Sequence, residues 1–367
     1  MYHIRLALAV RPGNALKQGL VVTVGALLFA ACGKDATAPV AVSGPELAFL
    51  SLRTGDLSLW VANGDGSSAT RVADVRSADL SFSWSPDGQN IAFEGGSDAT
   101  SYGIYVVNVD GTHLRLLTAS SNLTWGLAWS PDGAKIAFAK WYEGLFVMNA
   151  DGTGQVNLAS DFYNTSPGES PAWSPDGRRI AFTGMDGGWP DIYVVNANGS
   201  GRTRVTYGQH GCPVPEENSV PAWSPDGTTI AYEHRTCQAT YEIHGINVDG
   251  TREVNLTSNQ PSGLYPTWSP DGAQIAFWSF HDGGPYEIYV MNADGSSPVP
   301  ITIGADYDAC RHMSWSPDGT QLAYCVTPTD QGSSNVEVYA VGVHGTGTGD
   351  LSNHPAVDLS PVWRPKK

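Results

Sequence analysis

The pentapeptide Trp-Ser-Pro-Asp-Gly occurs six times, starting at Trp84, Trp129, Trp173, Trp223, Trp268 and Trp315, and a shortened copy, Trp363-Arg364-Pro365, lies close to the C-terminus. Successive tryptophans are 45, 44, 50, 45, 47 and 48 residues apart. That period matches the four short strands of a propeller blade rather than a helical or leucine-rich repeat. Each complete copy leads into a short apolar run: Ile91-Ala92-Phe93, Ile136-Ala137-Phe138, Ile180-Ala181-Phe182, Ile230-Ala231-Tyr232, Ile275-Ala276-Phe277 and Leu322-Ala323-Tyr324. Proline presets φ at the first central turn position, and Asp and Gly suit the rest of a tight reversal. Ser-Pro-Asp-Gly therefore reads as the turn between an inner strand a and its neighbour b.

A third strand, c, follows in phrases such as Gly103-Ile104-Tyr105-Val106, Asp191-Ile192-Tyr193-Val194 and Glu287-Ile288-Tyr289-Val290, and ends in Asn-x-Asp-Gly or a close relative, a strong hairpin signal. The fourth, d, is shorter and more polar, as in Leu114 to Leu117, which suits an exposed edge. The first b strand, Leu47-Ala48-Phe49, has no Trp-Ser-Pro-Asp-Gly before it, and the last a strand, around Pro361-Val362-Trp363, has no b strand after it. Joining the two orphans gives an all-β, seven-bladed propeller of four-stranded antiparallel blades over residues 44–367. Its closing blade takes strand a from the C-terminus and b, c and d from the N-terminus. Charged residues make up only 15% of the chain, and no long amphipathic helical pattern follows the leader, in keeping with an all-β domain.

Residues 1–31 carry Arg5, Arg11 and Lys17 but no acid, then an apolar run from Gly19 to Ala30 that is short for a stable span. The run ends Leu28-Phe29-Ala30-Ala31-Cys32-Gly33 and resembles a bacterial lipoprotein signal, in which the cysteine is lipidated and becomes the mature N-terminus. The resemblance implies lipidation at Cys32, a flexible tether over residues 32–43 and a place on the periplasmic side of the outer membrane or at the cell surface. The membrane is then touched through the lipid alone. Without the leader the net charge falls from −16 to −19, because three cations are lost and no acids. So acidic a chain is a poor ligand for nucleic acid.

Four cysteines remain, Cys212, Cys237, Cys310 and Cys325, an even number that suggests disulfides in an exported chain. If Trp315 opposes Thr320 across its turn, strand partners sum to 635, as Cys310 and Cys325 do. Cys212 and Cys237 flank the fourth a–b hairpin in the same manner. The expected bridges are Cys212 with Cys237 and Cys310 with Cys325.

No Gly-x-Ser-x-Gly elbow, Gly-x-x-x-x-Gly-Lys loop or His-Glu-x-x-His motif occurs in the sequence. Tight a–b and c–d turns leave one plain face; the long d–a and b–c loops gather on the other, where a binding site is expected. Candidates there are Asp161, Tyr163, Glu169, Trp189, His234, Tyr265, Trp278, Asp306, Arg311 and His312, with Trp125 towards the central channel. His210, His234, His281, His312 and His354 all map to this rim, but none stands at ligand-like spacing from another. They read as exposed loop histidines, and no metal or other cofactor is expected. Asp306-x-Asp308 has too few oxygens for calcium.

The phrase Pro-x-Trp-Ser-Pro-Asp-Gly-x-x-Ile-Ala-Phe, followed by Ile-Tyr-Val-x-Asn-x-Asp-Gly, resembles the TolB-type propeller repeat, found also in propellers of dipeptidyl peptidase IV-type proteins, and the likeness spans about residues 45 to 365. TolB-type proteins place an α/β domain ahead of a six-bladed ring, whereas this chain has a tether and seven repeats. The peptidases attach an α/β-hydrolase domain, which is not expected beside this ring. The resemblance implies a non-catalytic, monomeric scaffold that binds an envelope protein or peptide through its loop-rich face. The alternative is a metal-dependent carbohydrate-active enzyme, since oligogalacturonate lyases are similar propellers with a histidine-bound metal.

Overall fold

The computed structural model describes residues 46–366, apart from 76–80, 97–101, 120–123, 141–142, 161–170, 186–188, 209–210, 212–213, 259–261, 281–284, 303–311, 328–334 and 353. Over Ser43–Lys367 the chain forms one compact unit of seven four-stranded antiparallel sheets. Blade 1 is Phe82–Trp84, Asn90–Gly95, Gly103–Asn108 and Arg115–Ala119. Blades 2 to 6 repeat that order, from Thr124–Trp129 to Gly349–Asp350. In blade 7 the C-terminal strand Asp358–Trp363 pairs with Glu46–Ser51, which continues into Ser58–Asn63 and Thr70–Asp74. The two orphan strands do complete one blade.

Burial explains why the b strands read as continuous apolar runs. Ile91, Ala92, Ile136, Ala137, Phe138, Ile180 and Ala181 are wholly buried, because successive residues face opposite neighbouring blades and both faces are covered. On the face towards the preceding blade, strands b and c stack two aromatic rings: Phe93 with Tyr105, Phe138 with Phe146, Phe182 with Tyr193 and Phe277 with Tyr289, at centroid separations of 5.6 to 5.9 Å.

The Trp-Ser-Pro-Asp-Gly motif serves two junctions at once. Inside its hairpin, Gly88 N–H donates to Ser85 O at 2.8 Å, Ser85 Oγ donates to Asp87 Oδ1 at 2.6 Å, and Asp87 Oδ1 also accepts from Gln89 N–H at 3.0 Å. The glycine takes the left-handed φ that closes the turn, +65° at Gly88 and +67° at Gly177. Between blades, the tryptophan indole N–H donates to the carbonyl just before the preceding blade's tryptophan. These bonds run from Trp84 to Val362, Trp173 to Ala128, Trp223 to Ala172, Trp268 to Ala222 and Trp315 to Thr267, at 3.0 to 3.2 Å. Trp129 and Trp363 make no such bond, and the residues at the matching carbonyl position are Ser83 and Ser314.

The turn corrects the register expected from sequence. Trp315 opposes Leu322, not Thr320, since the left-handed Gly319 and Thr320 add a bulge before Gln321 carries its carbonyl to Ser316 N–H. Partner numbers therefore sum to 637, and an uninterrupted ladder would set Cys325 opposite position 312 rather than 310.

Candidate functional site

Several rim candidates, Asp161, Tyr163, Glu169, Asp306 and Arg311, together with Cys32, Cys212 and Cys310, lie outside the described residues, so the expected lipidation and both disulfide pairings rest on sequence. Of the described candidates, Trp189 is 40% exposed on the loop-rich face, and Tyr207, after strand d of the same blade, is 71% exposed. Tyr265 and His312 meet at the inner edge of that face, with ring centroids 6.5 Å apart. Tyr265 occupies a left-handed conformation, φ +52°, three residues before Trp268. Gly126, Val220 and Ser360 take the same conformation at the matching place in their blades, with φ between +51° and +62°. Where the ladder is seen on both sides, in blades 2, 4, 5 and 7, the register shifts at this residue, so the inner strand turns at the channel mouth through a bulge.

Trp278 is corrected. It is fully buried in strand b of blade 5 and meets Tyr324 edge-on at 6.3 Å, so it belongs to the packing between blades 5 and 6 and not to a loop. The b–c hairpins of blades 4 and 5 run further than the shorter repeats suggest, because pairing continues to Arg235 with Tyr241 and to Phe280 with Tyr286.

The same extension moves His234 off the loop. It sits in strand Thr229–Arg235 of blade 4, is only 9% exposed and faces blade 3. Across the ladder it opposes Glu242, and Tyr232 opposes His244, so alternate residues of both strands share one face. His244 thus takes the place that a stacked aromatic ring holds in blades 1, 2, 3 and 5. Its ring lies 4.4 Å from that of His234 and 5.8 Å from that of Tyr232.

Each imidazole is held by a fixed partner. His244 Nδ1 is 3.1 Å from Glu253 Oε1 and its Nε2 is 3.1 Å from Glu242 Oε2. Burial alone would depress His244, but the hydrogen bonds to Glu253 and Glu242 prevail and raise its pKa above the usual histidine range. Glu253 is drawn down to about 2, chiefly by the His244 hydrogen bond and also by Tyr232, whose hydroxyl donates to it at 2.5 Å. Burial and the adjacent Glu253 in turn push the Tyr232 hydroxyl far up. His234 is depressed by burial first and then by charge on His244, so the two neighbouring imidazoles shift in opposite directions.

Blade 3 and the incoming loop supply the rest. Asp191, buried at the start of strand c of blade 3, accepts from Thr206 Oγ1 at 2.8 Å, from Asn218 Nδ2 at 2.8 Å and from the Arg204 guanidinium. A carboxylate only accepts, so the Asn218 amide presents its oxygen to His234 Nδ1 at 2.8 Å. His234 must then carry its proton on Nδ1, leaving the Nε2 lone pair free of it. Sequence reasoning named His234 but missed Glu242, His244, Glu253, Asn218 and Asp191. The signal was there in Tyr232-x-His234 facing Glu242-x-His244, a polar version of the repeat's apolar face, and reading it needs the hairpin register.

Comparison with curated proteins finds no match. Among solved structures the chain is similar to TolB from Acinetobacter baumannii, with TM-score 0.55, 17% identity, and coverage of 84% of this chain and 79% of that one. It is also similar to oligogalacturonate lyase from Vibrio parahaemolyticus, with TM-score 0.63, 14% identity, and coverage of 81% and 86%. A puromycin-hydrolyzing peptidase from Mycobacterium tuberculosis matches with TM-score 0.62 and 13% identity over 84% of this chain and 52% of that one. At these identities the likenesses show a common fold, one that serves enzymes and non-enzymes alike. The family model for the TolB beta propeller domain matches residues 34–168, 123–236 and 212–325, and since these segments cover most of the sequence, the chain belongs to the TolB beta propeller family.

Proposed function

We propose that the protein is a lipid-anchored scaffold of the bacterial cell envelope that binds a protein or peptide through its loop-rich face. The observation that supports this most is the contrast between the two faces. One is built from turns locked by the same Ser-Asp-Gly hydrogen bonds in blade after blade. The other carries loops of unequal length, with exposed Trp189 and Tyr207, the kind of aromatic residues that anchor protein interfaces. Arg204 stacks over the Tyr207 ring at 4.8 Å, which holds that side chain at the surface.

Cross-linking in whole cells, followed by identification of the captured partner, tests the reading. Substituting Trp189, Tyr207, Asp161, Tyr163, Arg311 and His312 by Ala should abolish the cross-link. A partner retained by all of these variants places binding on another face. Metabolic labelling with a fatty acid should mark the wild type and not Cys32→Ser, and equal labelling of both would remove the anchor.

A second reading, a metal-dependent lyase acting on acidic oligosaccharides, draws support from the His234–His244 pair, while the acidic balance of the chain works against a polyanionic substrate. The formation of unsaturated product from oligogalacturonate, followed by its ultraviolet absorbance with and without added metal, decides between the two.

A further inference from the structure

We propose that His234, Glu242 and His244 form a binding site for a divalent transition metal of the zinc class, set between blades 3 and 4. One ligand atom from each residue lies within 4.8 Å of the others. A tetrahedral zinc ion with bonds of ~2.0 to 2.1 Å holds its ligand atoms roughly 3.4 Å apart, so side-chain movements of about an ångström close the site. Two imidazole nitrogens and one carboxylate suit zinc and its first-row neighbours, whereas calcium and magnesium call for oxygen-rich shells.

The groups behind the ligands make this a built site rather than a chance cluster. The Asp191–Asn218 pair fixes His234 with its Nε2 lone pair available, as derived above from hydrogen bonds of 2.8 Å. Glu253 holds His244 by Nδ1, which leaves Nε2 as the coordinating atom; the ion would take the place of the proton that Nε2 shares with Glu242. Such carboxylate or amide partners on the far nitrogen are the usual outer shell of metal-bound histidine. An ion has a way in, because the Glu253 side chain is 49% exposed and that of Glu242 is 29% exposed, against 13% for His244.

The rest of the ring shows what the same position does when it serves packing alone. At the His234 place the other blades have Gly95, Lys140, Gly184, Ser279, Val326 and Ser51; at the His244 place they have Tyr105, Phe146, Tyr193, Tyr289, Tyr339 and Trp60. An acid at the Glu242 place recurs as Asp191, Glu287 and Glu337, so what sets blade 4 apart is the pair of histidines on the same face, where the other blades stack aromatic rings. Three protein ligands leave a fourth tetrahedral position for water or for a donor atom on whatever docks there. The site depends neither on the scaffold reading nor on the lyase reading.

Tag-free protein stripped with a chelator and titrated calorimetrically with zinc chloride should bind one ion per chain saturably. Cobalt(II) in its place should give the intense visible bands of tetrahedral coordination. His234→Gln and His244→Gln should each weaken zinc binding by at least about tenfold, a change comparable to losing an outer-shell partner, while His312→Ala and His354→Ala leave it unaltered. Circular dichroism of each metal-free variant separates loss of ligand from loss of fold, and the cobalt spectrum of the wild type needs no variant. No saturable zinc binding by the wild type, an octahedral cobalt spectrum, or full affinity in a folded His234→Gln/His244→Gln double variant overturns the assignment.

Discussion

At the scale of single residues, the motif tryptophan acts in three ways. Trp223 is buried to 8% exposure, its indole N–H reaches Ala172 O in blade 3, and the Arg179 guanidinium lies 5.0 Å above its ring. Removing the side chain opens a cavity and orphans a carbonyl, so Trp223→Ala should lower unfolding free energy by about 3 to 5 kcal/mol. Trp223→Phe keeps most of the buried area and loses the hydrogen bond, at a cost of about 1 kcal/mol. Chemical denaturation of the two variants gives both numbers, and a Trp223→Phe variant as stable as the wild type would show that the indole N–H is irrelevant. Gly177→Ala should cost ~1 to 2 kcal/mol, since the new Cβ meets ordinary contact with Pro131 and only the left-handed backbone is penalised. The motif Asp has a different role from Gly: it stays out of the left-handed region and acts as an acceptor. Hydrogen bonds from Ser and from the backbone hold Asp132, Asp176, Asp226, Asp271 and Asp318 below the usual carboxylate range. Their stabilising effect is present near neutrality and is lost as pH falls through their lowered values.

At the scale of elements, the C-terminal strand is the critical piece. It pairs with Glu46–Ser51, its Arg364 forms an ion pair with Glu46, and its Asp358 bonds Arg53 at 3.2 Å in a buried setting. Deleting residues 356–367 should strip blade 7 of its inner strand and expose the flank of blade 6. We expect a large drop in the thermal midpoint, or aggregation on expression, and an unmoved transition would show that the ring closes by other means.

The joint is also acidic. Burial first, then the nearby Asp350 and Asp358 carboxylates, push Glu337 up to about 7, against the opposing hydrogen bond from Ser352, and burial likewise raises Asp358. Between its ordinary value and about 7, folded Glu337 keeps a proton that the unfolded chain has released. Its contribution to stability therefore declines as pH rises through that window. Glu337→Gln imitates the protonated form and should flatten the decline in melting temperature over the same window. Parallel curves for the two proteins would refute it.

The element scale also shows where sequence reading stops. Strand identity followed from Ser-Pro-Asp-Gly, since proline, aspartate and glycine each leave a local mark. The two residues that Gly319 and Thr320 add to the turn leave none, so the Cys310–Cys325 argument began from a wrong register, and peptide mapping without reductant remains its test. Trp278 misled for a related reason: an aromatic residue after a b strand looks like loop until the pairing of Phe280 with Tyr286 is seen. The histidine cluster needed both a register and a neighbouring blade, and contacts between Asp191 and Asn218, 27 residues apart, have no signature in a single sequence.

At the scale of the whole molecule, repetition and function are separated in space. Where the repeat is most regular, at the a–b turns, the glycines from Gly133 on Pro86 to Gly319 on Pro270 each lie against the proline of the preceding blade's turn, while Gly88 faces Arg364. Such a face offers few distinguishing groups to a ligand. Departures from the repeat collect elsewhere: in the loops of the opposite rim and on the blade 3 side of blade 4. The indole hydrogen bonds add a further division. They connect blade 2 through to blade 6, and blade 7 to blade 1, but are missing between blades 1 and 2 and between blades 6 and 7. The circle is thus a long arc of five blades clasped by a short arc of two, and the short arc holds both chain ends of the ring. Native-state hydrogen exchange should find the amides of blades 7 and 1 opening together at lower free energy than those of blades 3 to 5. At those two seams serine hydroxyls stand in for the indole, Ser81 Oγ accepting from Leu127 N–H and Ser314 Oγ from Trp363 N–H. If the ring parts locally, it is expected to do so there first.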